Sequence, residues 1–398
     1  MENKLIKNLL RVCVKVKSGF LKRDPNLWVF GEWMGNRICD NSLYFVNYIA
    51  QNHPEIKPVW ISKKNVDTIL LDPSVHRVEM DTTESQEVLK RAGVAIMNQG
   101  RVDFSVGADF NCDGAITVNL WHGVPWKLIG ADMARNQKNI QKIKTVYAHW
   151  IQKPTLTVAL SEDFAQIIGR AFFVKDGNVI RTGYPRNSIF YNSETMEKCR
   201  TKAMNLLYAQ GLAVTDNTKI ITYMPTFRDN TQDVFSFKKL DNDPKLCAIL
   251  QKHNAVIVQR AHFVSSQRNA ETVKTDNSRI TALDEISSQE LLAATDLLIT
   301  DYSSCFFDYL VLDRPIIHYL YDYEYYANED RGLYYKKEDV VCGDVAVNED
   351  ELLRFLDENL NAPEKNATLR KERKEKYMTY ESKDGCRIIY EEILKRLK

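Results

Sequence analysis

The sequence predicts an α/β protein that consists of two doubly wound domains. The chain has 398 residues, more than a single hydrophobic core usually supports, so two domains are expected. Apolar runs alternate with helical stretches twice along the chain, which is typical of parallel sheets covered by helices. The clearest such unit is Ile299–Leu320, which is predicted to be a buried strand, a hydroxyl-rich turn, an amphipathic helix and a second strand.

The strand candidates define the predicted domains. Those of the first domain, residues 25–190, are Trp28–Trp33, Lys57–Ser62, Val94–Asn98, Ala115–His122, Thr157–Leu160 and Val179–Thr182. Those of the second domain, residues 191–365, are Lys219–Pro225, Ala255–His262 and Leu297–Ile299. A polar helical stretch connects the two domains, a C-terminal helix is predicted over 366–398, and we expect a cleft between the domains.

The composition argues against several classes of protein. A net charge of +1 argues against a nucleic-acid-binding protein that works through bulk electrostatics. Eight cysteines are scattered without a CxxC pair, which predicts reduced thiols in a cytoplasmic protein. No apolar run approaches the roughly 18 residues that span a bilayer. No group of side chains has the spacing of a metal site, so neither a metal nor another cofactor is expected.

Residues 1–24 are predicted to form a basic amphipathic helix. The segment from Met1 to Arg23 contains seven basic residues and a single acidic one. Its apolar residues from Leu5 to Val16 recur at helical spacing. Such a helix either lies on an anionic membrane surface or packs its apolar stripe on its own domain. We favour the membrane, which would place a cytoplasmic protein on the inner face of the cell membrane.

Side chains suited to proton transfer or to positioning lie in three loops of the first domain. Ligands of open α/β sheets bind beyond the carboxyl ends of the strands. His122, in a loop that Gly123 frees and Pro125 stiffens, can exchange a proton near neutral pH, or it can bond a loop carbonyl. Asp40, in GNRICDNS, can act as a base toward an acceptor hydroxyl, or it can cap the following helix. Arg186, in GYPRN, is expected to be structural rather than catalytic.

Side chains suited to phosphate follow strands of the second domain. Arg228 can clamp phosphate oxygens in bidentate fashion, or it can form a surface salt bridge. His262 can stabilise the charge of a diphosphate, or it can lie solvated in a loop. Asp301, Ser303 and Ser304 are expected to cap a helix, and the two hydroxyls there can also bind an anion.

The motifs LWHG, GYPRN, PTFR, ITDYSSCFFDYLVLDRP and RGLYY occur in the order and spacing of one family. From about Trp28 to Tyr335 the chain resembles the CDP-glycerol glycerophosphotransferases, which include the primases and polymerases of wall teichoic acid. The resemblance implies a glycosyltransferase-B-like fold of two Rossmann-like domains that face each other across a cleft. It also implies that an acceptor hydroxyl attacks the β-phosphate of a CDP-alditol and releases CMP.

The resemblance also assigns roles to single residues. His122 matches a catalytic histidine, and Asp40 matches a position that could act as base toward the acceptor, so both are candidates for the base. We favour His122 because an imidazole exchanges a proton near neutral pH, with Asp40 as the acceptor-side partner. The residues implied to surround the donor phosphates are Arg228, His262, Thr300, Asp301, Ser303 and Ser304. Those implied to support the site are Gly123, Pro125 and Arg186.

The implied partners are CDP-glycerol or another CDP-alditol, and a polyprenyl-diphosphate-linked saccharide, in the synthesis of teichoic acid or another cell-surface polymer. The chain length favours a primase over a polymerase, while glycerol and ribitol donors are both left open. A nucleotide-sugar glycosyltransferase or epimerase of the same architecture is the alternative enzyme. A non-catalytic, membrane-peripheral binding protein is the alternative outside enzymes.

Overall fold

The computed structural model describes residues 22–105, 112, 114–136, 155–226, 235–260, 278–327 and 332–397. The chain divides into two compact units. Unit 1 takes its described residues from Met1–His122, Gly130–Ser188 and Tyr380–Lys398, and unit 2 takes them from Gly123–Ile129 and Ile189–Thr379. The N-terminal helix prediction falls almost entirely outside the described residues, and Asp24, the last residue of that prediction, begins the first strand.

The strands form one parallel sheet in each unit. The strands of unit 1 are β1 (Asp24–Phe30), β2 (Lys57–Ser62), β3 (His76–Glu79), β4 (Ala92–Met97), β5 (Ile116–Asn119), β6 (Leu156–Ala159) and β7 (Val179–Arg181). The strands of unit 2 are β8 (Lys219–Met224), β9 (Ala255–Gln259), β10 (Ile280–Thr281), β11 (Leu297–Thr300), β12 (Ile316–Tyr319) and β13 (Asp344–Ala346). Their orders are β3-β2-β1-β4-β5-β6-β7 and β10-β9-β8-β11-β12-β13. The predicted α/β class is therefore confirmed.

Helices connect most of these strands. The helices of the described chain are α1 (Asn41–Asn52), α2 (Thr83–Arg91), α3 (Glu162–Phe172), α4 (Ser193–Ala209), α5 (Pro244–Lys252), α6 (Ser288–Ala294), α7 (Cys305–Tyr309), α8 (Tyr323–Tyr325), α9 (Lys337–Val340), α10 (Glu349–Asn361), α11 (Ala367–Tyr377) and α12 (Gly385–Leu397). Among the described residues, no helix combines the length and apolarity needed to cross a membrane.

The inner strands are apolar because both of their faces are covered. Every residue of β4 (AGVAIM) and of β11 (LLIT) is buried. Parallel strands with helices on both faces are expected to be continuous apolar runs of this kind. Side-chain oxygens cap helices in both units, as at Thr82 before α2 and Ser287 before α6, each with a reciprocal capping box.

Both sheets reverse their strand order beside their first strand. In sheet 1 the reversal lies between β1 and β4, and in sheet 2 it lies between β8 and β11. At such a switch point the two connections leave in opposite directions, which opens a crevice at the carboxyl ends of the strands. The loops along this edge of each sheet are therefore the places in which to look for a functional site.

Several elements end differently from the sequence prediction, among them β1 and the C-terminal helix. Strand β1 ends at Phe30 rather than at Trp33, and Trp33 itself has a left-handed backbone conformation. The C-terminal stretch, predicted as one helix, is divided into α11 and α12. Helix α11 belongs to unit 2 and α12 to unit 1, so the chain changes units between the two helices.

Candidate active site

His122 lies on a sharply turned loop after β5. Trp121 has a left-handed φ of 58°, so the strand ends at Asn119 and the predicted extension to His122 is wrong. The Asn119 side chain holds this turn, because its Oδ1 accepts a hydrogen bond from the Trp121 N–H at 2.8 Å. The half-buried imidazole has two indole neighbours, with ring centroids 4.1 Å away at Trp121 and 5.9 Å away at Trp33.

Arg186 connects the His122 loop to α1. Its Nη1 donates to Asp40 Oδ1 at 2.7 Å and to the carbonyl oxygen of His122 at 3.0 Å. The Arg186 and Asp40 side chains are 8% and 5% exposed, so this is a buried ion pair. Charges buried in this way need both a partner and good hydrogen bonding. Arg186 thus holds the His122 loop and the start of α1 together.

Asn41 fastens the same loop a second time. Its Nδ2 donates to the Trp121 carbonyl oxygen at 2.9 Å, and its Oδ1 accepts from the Arg186 N–H at 3.1 Å. The carbonyl oxygens of Trp121 and His122 are therefore both hydrogen-bonded by side chains from outside the His122 loop. The motifs that contain Asp40, His122 and Arg186 meet in one place, although they are far apart in sequence.

The Asp40 carboxylate is already engaged within the protein. Besides Arg186, it accepts hydrogen bonds from the N–H of Asn41 at 2.7 Å and from Nε1 of Trp33 at 3.1 Å. Asp40 is also the N-cap residue of α1, as one of the sequence-based alternatives proposed. With three hydrogen-bond donors around it, the Asp40 carboxylate holds Arg186, Trp33 and the first turn of α1 in place.

Two buried acids behind this site were not among the predicted residues. Glu32 is fully buried and accepts hydrogen bonds from the N–H groups of Cys39 and Asp40; its burial and the nearby Asp40 charge raise its pKa well above the usual range. Asp103 accepts from Met34 and two further N–H groups, and burial raises its pKa to about 6. Each follows a strand of the switch point by a few residues, and this position is the signal that could have identified them.

Gly123 and Pro125 lie where the chain passes from unit 1 to unit 2. Gly123 has a φ of 154°, which favours glycine, and both residues are buried. The segment they begin, Gly123–Ile129, packs with unit 2, where Trp126 Nε1 donates to the carbonyl oxygen of Tyr335 at 2.9 Å. His122 is therefore the last residue of unit 1 before the crossing.

In unit 2, Asp301 joins the two strands of the switch point. Its Oδ1 accepts a hydrogen bond from the N–H of Thr226, beyond the end of β8, at 2.7 Å. Thr300 strengthens this connection, because its hydroxyl donates to the Met224 carbonyl oxygen at 2.7 Å. Both side chains are buried.

The predicted capping of the following helix is wrong. Ser304 is the N-cap residue of α7, but it has a helical conformation, and no side-chain capping bond is formed there. Asp301 is instead directed to Thr226. Ser303 and Ser304 are half-buried at the carboxyl end of β11, and their hydroxyls do not cap the helix.

Arg228 and His262, the other predicted donor-site residues, lie outside the described residues. The strands that precede them, β8 and β9, are neighbours in sheet 2, and β8 also pairs with β11. Across the described part of the chain, no group of three or more His, Cys, Asp or Glu side chains could hold a metal ion.

The buried ion pair leads to a stability prediction. Arg186→Met leaves the buried Asp40 charge without its partner, and we expect the free energy of unfolding to fall by about 3–5 kcal/mol. Urea denaturation of the full chain measures this. The control is Arg181→Met, which removes an ion pair between Arg181 and the more exposed Glu162 and Asp176 in the same unit and should have a several-fold smaller effect. Equal losses for the two variants would contradict the role given to Arg186.

Comparisons with known proteins identify the family of this chain. A family model described as CDP-glycerol:poly(glycerophosphate) glycerophosphotransferase matches residues 14–395. The teichoic acid glycerol-phosphate transferase of Staphylococcus aureus is 27% identical over 373 residues, which are 89% of this chain and 91% of the relative. The teichoic acid poly(glycerol phosphate) polymerase of Bacillus spizizenii is 26% identical over 91% of this chain and 92% of the relative.

A solved structure has the same fold. It is the wall teichoic acid polymerase TagF, as a variant soaked with CDPG, and it matches with a TM-score of 0.78 and 20% identity. The match covers 99% of this chain and 97% of that chain. This likeness confirms the predicted glycosyltransferase-B-like fold class. Because the family model covers nearly the whole chain, the protein belongs to the CDP-glycerol:poly(glycerophosphate) glycerophosphotransferase family and is a glycerophosphotransferase.

Proposed function

We propose that this protein transfers glycerol phosphate, or a related alditol phosphate, from a CDP-alditol to a hydroxyl of a lipid-linked saccharide and releases CMP. The main support is that Arg186 and Asn41 hydrogen-bond the backbone of the His122 loop, in a chain that belongs to this family. The names of the relatives, a teichoic acid glycerol-phosphate transferase and a polymerase, support the donor and the polymer. The CDPG-soaked TagF structure supports the nucleotide.

His122 is the proposed base toward the acceptor hydroxyl. Phosphoryl transfer depends chiefly on positioning and on stabilising charge, so the protein must hold one proton acceptor in place. An imidazole can take up a proton near neutral pH, and the loop of His122 is fixed by bonds to both adjoining carbonyl groups. Asp40 then acts as the partner that keeps Arg186, and through it His122, in position.

The donor's phosphates are proposed to bind at the carboxyl ends of β8, β9 and β11. Ser303 and Ser304 would offer hydroxyl groups to the phosphate oxygens, while Thr300 and Asp301 hold the strand ends together. Arg228 and His262 are proposed to add positive charge, on the basis of their places after β8 and β9. This charge would stabilise the departing CMP.

Replacing His122 tests the proposed base. His122→Ala should reduce CMP release from CDP-glycerol, with a short-chain lipid-linked disaccharide as acceptor, by about 10²–10⁴-fold, because general base catalysis is lost. His76→Ala is the matched control, since His76 is an exposed histidine of the same unit that pairs with Glu84. Near-normal turnover in a folded His122→Ala variant would remove His122 from the mechanism.

Replacing both serines tests the donor site. Ser303→Ala combined with Ser304→Ala should weaken CDP-glycerol binding about tenfold, because hydrogen bonds to a charged group are lost. Isothermal titration calorimetry measures this, and Arg228→Ala should act in the same direction. Ser193→Ala, at an exposed position of the same unit, is the control. Unchanged affinity in both the serine and the arginine variants would contradict the proposed donor site.

The proposed place of action is the inner face of the cell membrane, with the basic N-terminal segment on anionic lipid. Deleting residues 1–21 should reduce sedimentation with anionic vesicles, since each basic side chain contributes about 1 kcal/mol near such a surface. Arg23 is kept because its Nη1 donates to the carbonyl oxygens of Leu89 and Ala92 at 2.9 and 2.7 Å.

The truncated protein should keep its activity on the short-chain acceptor and lose activity on a long-chain one. High salt should weaken vesicle binding of the full chain, because the electrostatic attraction is screened within about 10 Å at 0.1 M. Equal loss of activity on both acceptors would show that the segment is a packing element of its own domain.

A further inference from the structure

The loop after β1 contains a rare backbone conformation. Trp33, Met34 and Gly35 have φ values of 49°, 54° and 69°, so two consecutive non-glycine residues are left-handed. Each such residue costs about 1–2 kcal/mol relative to a right-handed one. Conformations of this kind persist only where the surrounding structure holds them, and they cluster at functional sites.

Side chains from beyond the end of β4 hold this turn. Gln99 Oε1 accepts a hydrogen bond from the Trp33 N–H at 2.7 Å, and Asp103 Oδ1 accepts from the Met34 N–H at 2.9 Å. On the other side, the Lys63 N–H donates to the Gly35 carbonyl oxygen at 2.8 Å. Asp103 is fully buried, so the turn is anchored to the interior of unit 1.

The turn places Trp33 at the candidate active site and leaves Met34, the next residue, exposed. Trp33 is half-buried, and its ring centroid lies 5.9 Å from that of His122, while its Nε1 bonds Asp40. Met34 is 41% exposed, so its side chain is accessible at a position where Asp103 holds the backbone. The strained backbone therefore presents the Trp33 indole beside the proposed base and exposes the thioether of the next residue.

We propose that Trp33 and Met34 form the contact surface for a sugar ring of the acceptor, directly beside His122. This inference rests on the proposed function. The C–H groups of a pyranose ring pack on an indole and remove apolar area from water, and a thioether adapts to the shape of what it touches. An indole and a thioether lack the positive charge that the donor's diphosphate requires, so the surface suits the acceptor.

Steady-state kinetics with CDP-glycerol and a short-chain lipid-linked disaccharide test this inference. Trp33→Leu should raise the KM for the acceptor about tenfold and leave the KM for CDP-glycerol within about twofold. Trp33→Phe keeps an aromatic face but loses the N–H to Asp40, and its acceptor KM should stay within about threefold of wild type. Met34→Gln should raise the acceptor KM about threefold, whereas Ile69→Gln, at an exposed isoleucine of the same unit, should change neither KM.

Several results would overturn the inference. An unchanged acceptor KM in Met34→Gln and Trp33→Leu, or an equal rise in the two KM values, would exclude an acceptor surface. A loss in Trp33→Phe as large as that in Trp33→Leu would show that Trp33 acts only through Asp40. Failure of the proposed function is distinguishable, because the wild-type protein would then release no CMP from either CDP-glycerol or CDP-ribitol, and both proposals would fall.

Discussion

The buried ion pair between Arg186 and Asp40 is the interaction on which the candidate active site depends. It lies where the loops after β1, β5 and β7 meet, and the same guanidinium also binds the carbonyl oxygen of His122. Because a buried charge is costly without its partner, neither residue is free to move without the other. The loop that carries His122 is therefore fixed by electrostatics and by hydrogen bonds to its backbone, rather than by contacts of its imidazole alone.

In each unit, a buried aspartate joins the two loops at the point where the strand order reverses. In unit 1, Asp103 lies beyond β4 and binds the N–H of Met34 beyond β1. In unit 2, Asp301 lies beyond β11 and binds the N–H of Thr226 beyond β8. Both aspartates are fully buried. A side chain from the strand across the reversal thus satisfies the backbone of the first loop and keeps the two strand ends together where a ligand crevice is expected.

The sequence predicted the parallel sheets and the residues at the strand ends because both follow from local patterns. Apolar runs such as β4 and β11 are visible within a few residues, and His122 and Asp301 follow such runs closely. The bond from Asp301 to Thr226 was not predictable, since it joins residues 75 positions apart and capping was the local alternative. The left-handed turn at Trp33 and Met34 was not predictable either, since neither residue is a glycine. Side chains distant in sequence, Gln99 and Asp103, hold it.

The proposed site transfers an alditol phosphate and not a sugar. The most direct measurement incubates the full-length protein and a lipid-linked disaccharide with CDP-glycerol, CDP-ribitol or UDP-sugars, followed by mass spectrometry of the acceptor and quantification of the released nucleotide. We expect the acceptor to gain an alditol phosphate and an equal amount of CMP to appear. Release of UDP with a sugar added to the acceptor, or an epimerised UDP-sugar, together with no reaction of either CDP-alditol, would contradict it.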